Sequence, residues 1–155
     1  MKITRRLLLT YVLTFGLTGC VATGSKFVRE VPASDAEALI YVYRPAGFVG
    51  SAQRPDLKID GVLVGSVVSG GFLVKKVSLG RHELLLTGEG NPFKWNFPDR
   101  RSILDIKNSG NYYFRYSPTS RGSASGLTTI VHSYTFESVP ETVALEALGD
   151  LNRAE

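Results

Sequence analysis

The sequence holds one cysteine, Cys20, and two histidines, His82 and His132. A lone thiol has no partner for a disulfide within the chain, and sulfur is the best alkylation nucleophile among the side chains. Cys20 ends the run Leu17-Thr18-Gly19-Cys20, behind a basic start (Lys2, Arg5, Arg6) and an apolar stretch from Leu7 to Leu17. The other reactive residue types do not gather in this way. His82 and His132 fall in different segments that read as strands, whereas a metal site needs clustered ligands with a supporting shell. Packed or hydrogen-bonded strand histidines are therefore expected, and no metal ligand is assigned. The nearest approach to a nucleophile elbow, Gly122-Ser123-Ala124-Ser125-Gly126, carries Ala124 where the serine belongs, and no helix follows. Asp56, Asp60, Glu83, Asp99 and Asp105 are scattered through turns and strand faces. A glycosidase pair among them would have to be made by the fold. The glycines between Gly61 and Gly71 bracket strands rather than open a phosphate-cradling helix. No catalytic residue and no cofactor are assigned.

The segment around Leu17–Cys20 supports a more specific reading. A positive n-region, a short apolar h-region and small residues before a cut form an export signal. The apolar stretch falls short of the ~20 residues that span a bilayer, and Thr10 and Thr14 interrupt it. Leu17-Thr18-Gly19-Cys20 resembles the lipobox of bacterial lipoproteins. The resemblance implies a diacylglyceryl thioether on Cys20, cleavage just before it, and a freed amine open to acylation. Two or three acyl chains at ~0.8 kcal/mol per buried methylene hold a protein on a membrane, where one chain alone is marginal. Val21 is not the aspartate that often retains such proteins in the inner membrane, so the resemblance implies the outer membrane, with the domain facing the periplasm. The competing reading is an uncleaved apolar segment with a buried cysteine.

Cleavage before Cys20 leaves 136 of the 155 residues, enough for one domain with its own core. Three of the 18 basic residues precede the cut, so 15 face 14 acidic ones in the remainder, and no nucleic-acid partner is called for. The expected organisation is a signal at 1–19, a lipidated cysteine and tether at 20–37, and a β-domain at 38–155. The tether carries no periodicity. Ala38–Arg44 alternates Ala38, Ile40 and Val42 on one face with Tyr41 and Tyr43 on the other, and stops at Pro45. Leu57–Ile59 and Val62–Val64 flank Asp60-Gly61, the pair that accepts a type I′ turn. Further strands are read at 72–79, 81–87, 102–107, 112–116 and 127–136, with long loops at 45–56, 88–98 and 117–126. Lys75-Lys76 breaks the phase of its strand, which predicts a bulge or an edge. Ser138-Val139-Pro140-Glu141 matches a capping box ahead of Ala144, Leu145, Leu148 and Leu151, predicting a helix over 139–152 laid on the sheet or turned to a partner. The fold class that follows is all-β: a small antiparallel β-sandwich of seven to eight strands with one short C-terminal amphipathic helix.

One constellation suggests recognition. Phe93, Trp95, Phe97, Arg100 and Arg101 place flat aromatics beside cations, as a candidate binding loop for sugars or anionic headgroups. The alternative, favoured here, is that the aromatics plug one end of the sandwich.

Four pieces together resemble a family of small bacterial envelope lipoproteins, domain of unknown function 2846. They are Leu39-Ile40-Tyr41-Val42-Tyr43-Arg44-Pro45, Ile59-Asp60-Gly61 with Val64-Gly65, Leu79-Gly80-Arg81-His82-Glu83-Leu84, and Gly110-Asn111-Tyr112-Tyr113-Phe114-Arg115. Their order and spacing cover roughly 38–150. The family brings no catalytic residues. The expectation is a lipid-anchored, non-enzymatic binding or scaffolding module with an envelope protein or glycan as partner. The alternatives are an enzyme of cell-wall glycan and an inhibitor or immunity lipoprotein.

Overall fold

A computed structural model of the chain describes residues 22–89, 95, 97–122 and 130–154. Its centre is β1 (Glu37–Arg44), buried from Ala38 to Arg44. The alternation of its side chains explains this. Ala38, Ile40 and Val42 enter the core between two sheets, and Leu39, Tyr41 and Tyr43 form a second core on the outer face of their own sheet.

Among the described residues, eight further strands follow: β2 (Asp56–Ile59), β3 (Val62–Ser66), β4 (Gly71–Ser78), β5 (Gly80–Thr87), β6 (Arg100–Ile106), β7 (Gly110–Gly122), β8 (Ile130–Val139) and the two-residue β9 (Asn152–Arg153). A five-stranded sheet runs β8-β7-β1-β4-β9 and faces a four-stranded sheet β3-β2-β5-β6. The sandwich is the expected one. Its strand directions are less uniform, because β1 pairs in parallel with β7, and β4 with β9. The Asp60-Gly61 hairpin is antiparallel, β2 with β3. The hairpin that Asn108-Ser109-Gly110-Asn111 suggests between 102–107 and 112–116 does not form, since β6 pairs with β5 in one sheet and β7 with β1 and β8 in the other. The parallel pairs join segments that no short turn connects.

Asp60 and Gly61 adopt φ of 51° and 77°, as the type I′ turn requires. Lys75 and Lys76 mark an edge and not a bulge. β4 pairs with β1 in unbroken register there, while β9 accompanies it only at Gly71 and Phe72. Tyr112, Phe114 and Tyr116 face the inter-sheet core, and Tyr113 faces the outer one.

Three further expectations are corrected. Residues 117–122 are strand and not loop, since β8 pairs with each of them out to Gly122↔Ile130. Pro118 is tolerated because β1 has already ended beside Arg115, leaving that side of β7 open. The capping box does not form. Ser138 still pairs with Phe114 in β8, and the helix α1 (Glu141–Leu148) begins after Pro140 with no side-chain cap. Glu141 instead accepts from Tyr113 Oη and pairs with Arg29. Ala144 and Leu148 seat α1 on the outer face of the five-stranded sheet. Finally, the stretch read as a tether is docked from Ala22 onward. Gly24 N–H donates to Arg153 O, Arg153 N–H to Ser25 O, and Phe27 N–H to Leu151 O. Phe27 packs edge-on against Tyr41 and Phe72.

Candidate functional site

β1, β2, β5, β6 and β7 bring one set of loops to a common end of the sandwich, and the candidate binding residues lie there. Trp95 is 3% exposed. It meets Phe97 and Tyr134 edge to face at centroid distances of 5.1 and 4.7 Å, and Tyr116 at 5.8 Å. Gly88 lets it in, since a Cβ there would stand 2.6 Å from the Trp95 Cβ. Tyr134 Oη donates to Pro98 O and holds the loop's end against β8. Of the two readings of this loop, the plug describes Trp95 and Phe97. Arg101 turns away to a two-oxygen contact with Glu83 on β5, at 2.9 and 3.0 Å, and Arg100 is exposed. Phe93 lies outside the described residues, as do Leu17, Thr18, Gly19 and Cys20. The aromatics are thus brought together facing inward, and the two arginines do not join them.

A residue that sequence reasoning passed over organises the same end. Arg44 is 1% exposed, yet no carboxylate faces it among the contacts described. Its guanidinium donates to Gln53 O at 2.7 Å, Gly50 O at 2.8 Å and Val49 O at 3.2 Å, and lies 5.4 Å from the Tyr116 ring centre. The fork geometry of arginine suits three carbonyls converging from one loop. Burial lowers the Arg44 pKa, opposed by Tyr116, and burial pushes the Tyr116 phenol up to about 12. An open groove of about 240 Å³ lies between residues 45–49 and 116–118, beside this guanidinium. The only hint in the sequence is an arginine placed where a strand of apolar residues meets Pro45.

His82 and Asp60 form the one histidine–carboxylate contact among the described residues, and its geometry is structural. Nδ1–H donates to Asp60 Oδ2 at 2.6 Å and Nε2–H to the Ser78 carbonyl at 2.9 Å, so both ring nitrogens face acceptors and no hydroxyl stands where a nucleophile would. Only the imidazolium satisfies both bonds. Burial alone would lower the His82 pKa, but the hydrogen bonds it donates to Asp60 and Ser78 and the Asp60 charge outweigh it, and the pKa lies above its ordinary 6.5. The hydrogen bond from His82 first, then the Glu83 amide and the His82 charge, hold Asp60 below 3.8.

The raised His82 pKa gives a stability increment that is complete below pH 6.5 and lost as pH rises through the folded-state value. The Asp60 increment is present above pH 3.8 and lost as pH falls through its lower folded-state value. His82→Gln is expected to flatten the fall in urea midpoint as pH rises above 6.5; equal slopes for variant and parent would refute this assignment.

Asp56, Glu83 and Asp105 are each held by a different partner. Asp56 accepts from Ser66, Glu83 holds Arg101, and Asp105 stands 3.9 Å from Lys107. Glu89 and Asp99 share a groove of about 300 Å³ with Trp95 and Phe97. Lys58, hydrogen-bonded to Glu89, lowers that carboxyl's pKa, the opposite of what a general acid in glycan cleavage requires. Among the described residues, no group of three or more His, Cys, Asp or Glu side chains is placed to hold a metal. His132 stands in β8 opposite Ser120.

Two facing sheets with a helix on the outer side, and loops held from within by Trp95 and Arg44, define a small β-sandwich domain. A family model described as a protein of unknown function (DUF2846) matches residues 34–128, and the chain belongs to that family. The match takes in β1 to β7 and stops before β8, so α1, β9 and the docked segment at 22–27 lie outside it. No curated protein and no solved structure matches the chain.

Proposed function

We propose that the protein is a lipid-anchored lipoprotein of the bacterial cell envelope, held at the outer membrane by acyl chains on Cys20. Its sandwich faces the periplasm as a non-enzymatic binding or scaffolding module for an envelope protein or glycan. The observation that carries this reading is the run Leu17–Cys20 behind a basic start and a short apolar stretch. The domain's own geometry agrees with it. Ala22 is bonded into the fold through Ser69, so an acylated Cys20 would hold the sandwich close to the bilayer. The His82–Asp60 pair is spent on the Asp60-Gly61 turn, and Asp56, Glu83, Glu89 and Asp105 are tied to Ser66, Arg101, Lys58 and Lys107 in turn, which supports binding over catalysis.

The test is Cys20→Ser in the full chain, expressed where lipoproteins are processed. The variant should accumulate as uncleaved precursor and lose its membrane fraction. The parent's N-terminal peptide should begin at Cys20 with the mass of a diacylglyceryl group. A native protein that retains Met1, or whose Cys20 carries no lipid, refutes the reading. Cross-linking in intact cells then identifies the partner.

A further inference from the structure

We propose that the loop 45–55 is a second membrane contact, with Phe48 entering the interface of the same bilayer that holds the lipid; this rests on the anchoring reading above. Phe48 is 95% exposed, the most exposed of the large hydrophobic residues described. It is presented by a braced loop. Ser51 N–H donates to Phe48 O and Gln53 N–H to Gly50 O, and the buried Arg44 holds the Val49, Gly50 and Gln53 carbonyls from below. Pro118 backs Gly50, where a Cβ would stand 3.1 Å from the proline Cβ. An aromatic side chain held out by a braced loop gives up little conformational freedom on insertion.

The position of the loop names the occupant. Ser69 joins it to the point where the chain enters the domain. Ser69 Oγ is bonded to Gly47 N and O at 3.1 and 3.2 Å, and Ser69 O accepts from Ala22 N–H at 3.4 Å. Cys20 lies two residues before Ala22, a reach of about 7 Å at full extension. A lipidated Cys20 therefore brings the surroundings of Ser69 to the headgroups, and Phe48 stands in those surroundings. The loop's chemistry agrees. Residues 45–55 carry no acidic side chain, and their one charge is Arg54, suited to an anionic surface. Side chains of this kind settle about 5–10 Å into the headgroup and acyl boundary. The lipid gives affinity; Phe48 adds a second point and so limits rotation of the domain about its anchor.

The experiment uses the full chain, lipidated in cells and reconstituted into vesicles of phosphatidylethanolamine and phosphatidylglycerol. With the Cys20 sulfur in thioether linkage, Phe48→Cys introduces the sole free thiol, which carries an environment-sensitive fluorophore. Val62→Cys, at the far end of the sandwich beside the Asp60-Gly61 turn, is the control; Val62 is also exposed. The proposal expects a blue-shifted Phe48 probe quenched by spin-labelled lipid, and a Val62 probe that stays aqueous. With diacylglyceryl confirmed on Cys20 by mass, an aqueous Phe48 probe overturns the membrane contact and leaves the anchor standing. Equal quenching at both positions also overturns it, since the domain then has no fixed face to the bilayer. An unlipidated Cys20 removes the anchor, and the contact falls with it; that failure is read from the mass and not from the probe.

Discussion

Replacing Trp95 with alanine is expected to cost the domain about 3–5 kcal/mol, the usual range for deleting a buried tryptophan. The size follows from what the indole touches. Phe97, Tyr116 and Tyr134 all pack on it, and each would line the cavity left behind. The loss is one of packing against these three rings. Trp95→Phe should therefore cost clearly less than Trp95→Ala. Trp95 is the sole tryptophan, and its emission reports the same site. Native protein should emit to the blue and shift red through the urea transition. Red emission from the folded state, with an unchanged midpoint in the alanine variant, would return the loop to the role of an exposed binding surface.

Arg44→Ala should produce the next largest loss, about 3 kcal/mol, since each buried acceptor left without a donor costs about 1–3 kcal/mol and the loop can relieve part of this by opening to water. The Val49, Gly50 and Gln53 carbonyls lose their donor together, so the effect should be local as well as global. Limited proteolysis should cut between residues 48 and 53 in the variant before the sandwich unfolds. Arg44→Lys should rescue little. An ammonium carries its donors on one atom and cannot span three carbonyls from its place over the Tyr116 ring. A melt unchanged in Arg44→Ala would show that the loop holds its shape without the guanidinium.

The strands were legible wherever one residue type alternated with another. Ala38-Leu39-Ile40-Tyr41-Val42-Tyr43 shows two buried faces directly, and Asp60-Gly61 specifies its turn through backbone angles that few other pairs accept. Pairing partners were not legible, because periodicity describes one strand at a time. Nothing in Gly110–Arg115 announces that it lies parallel to β1. The Ser138 cap failed for a related reason. A local capping pattern competed with the backbone ladder opposite Tyr113 and Phe114, and the ladder prevailed. Residues 117–122 looked like loop since serine, threonine and proline are poor strand signals, yet β8 supplies the hydrogen bonds that their side chains do not suggest. The candidate aromatic loop was found by composition, while its inward direction depends on Gly88 and Tyr134, which are distant in sequence from one another. Arg44 left almost no trace, because its partners are carbonyl groups, and these are the same in every residue.

The pairing of Gly24 and Ser25 with Arg153 has a consequence for the order in which the molecule assembles. The described chain begins and ends in the same patch of backbone hydrogen bonds, and its central strand waits for β7 before its second side is filled. Contacts so far apart along the chain carry a large loop-closure cost, and domains dominated by them fold in milliseconds to seconds, where helical bundles need microseconds. A chain delivered from its N-terminus presents β1 and β4 before residues 151–154 arrive. Until β7 arrives one side of β1 lacks a partner, and until residues 151–154 arrive so does the edge of β4 at Gly71 and Phe72, and both remain open to proteases and to other strands. Residues 151–154 thus seal the segment 24–27, and closure of the domain waits for both stretches.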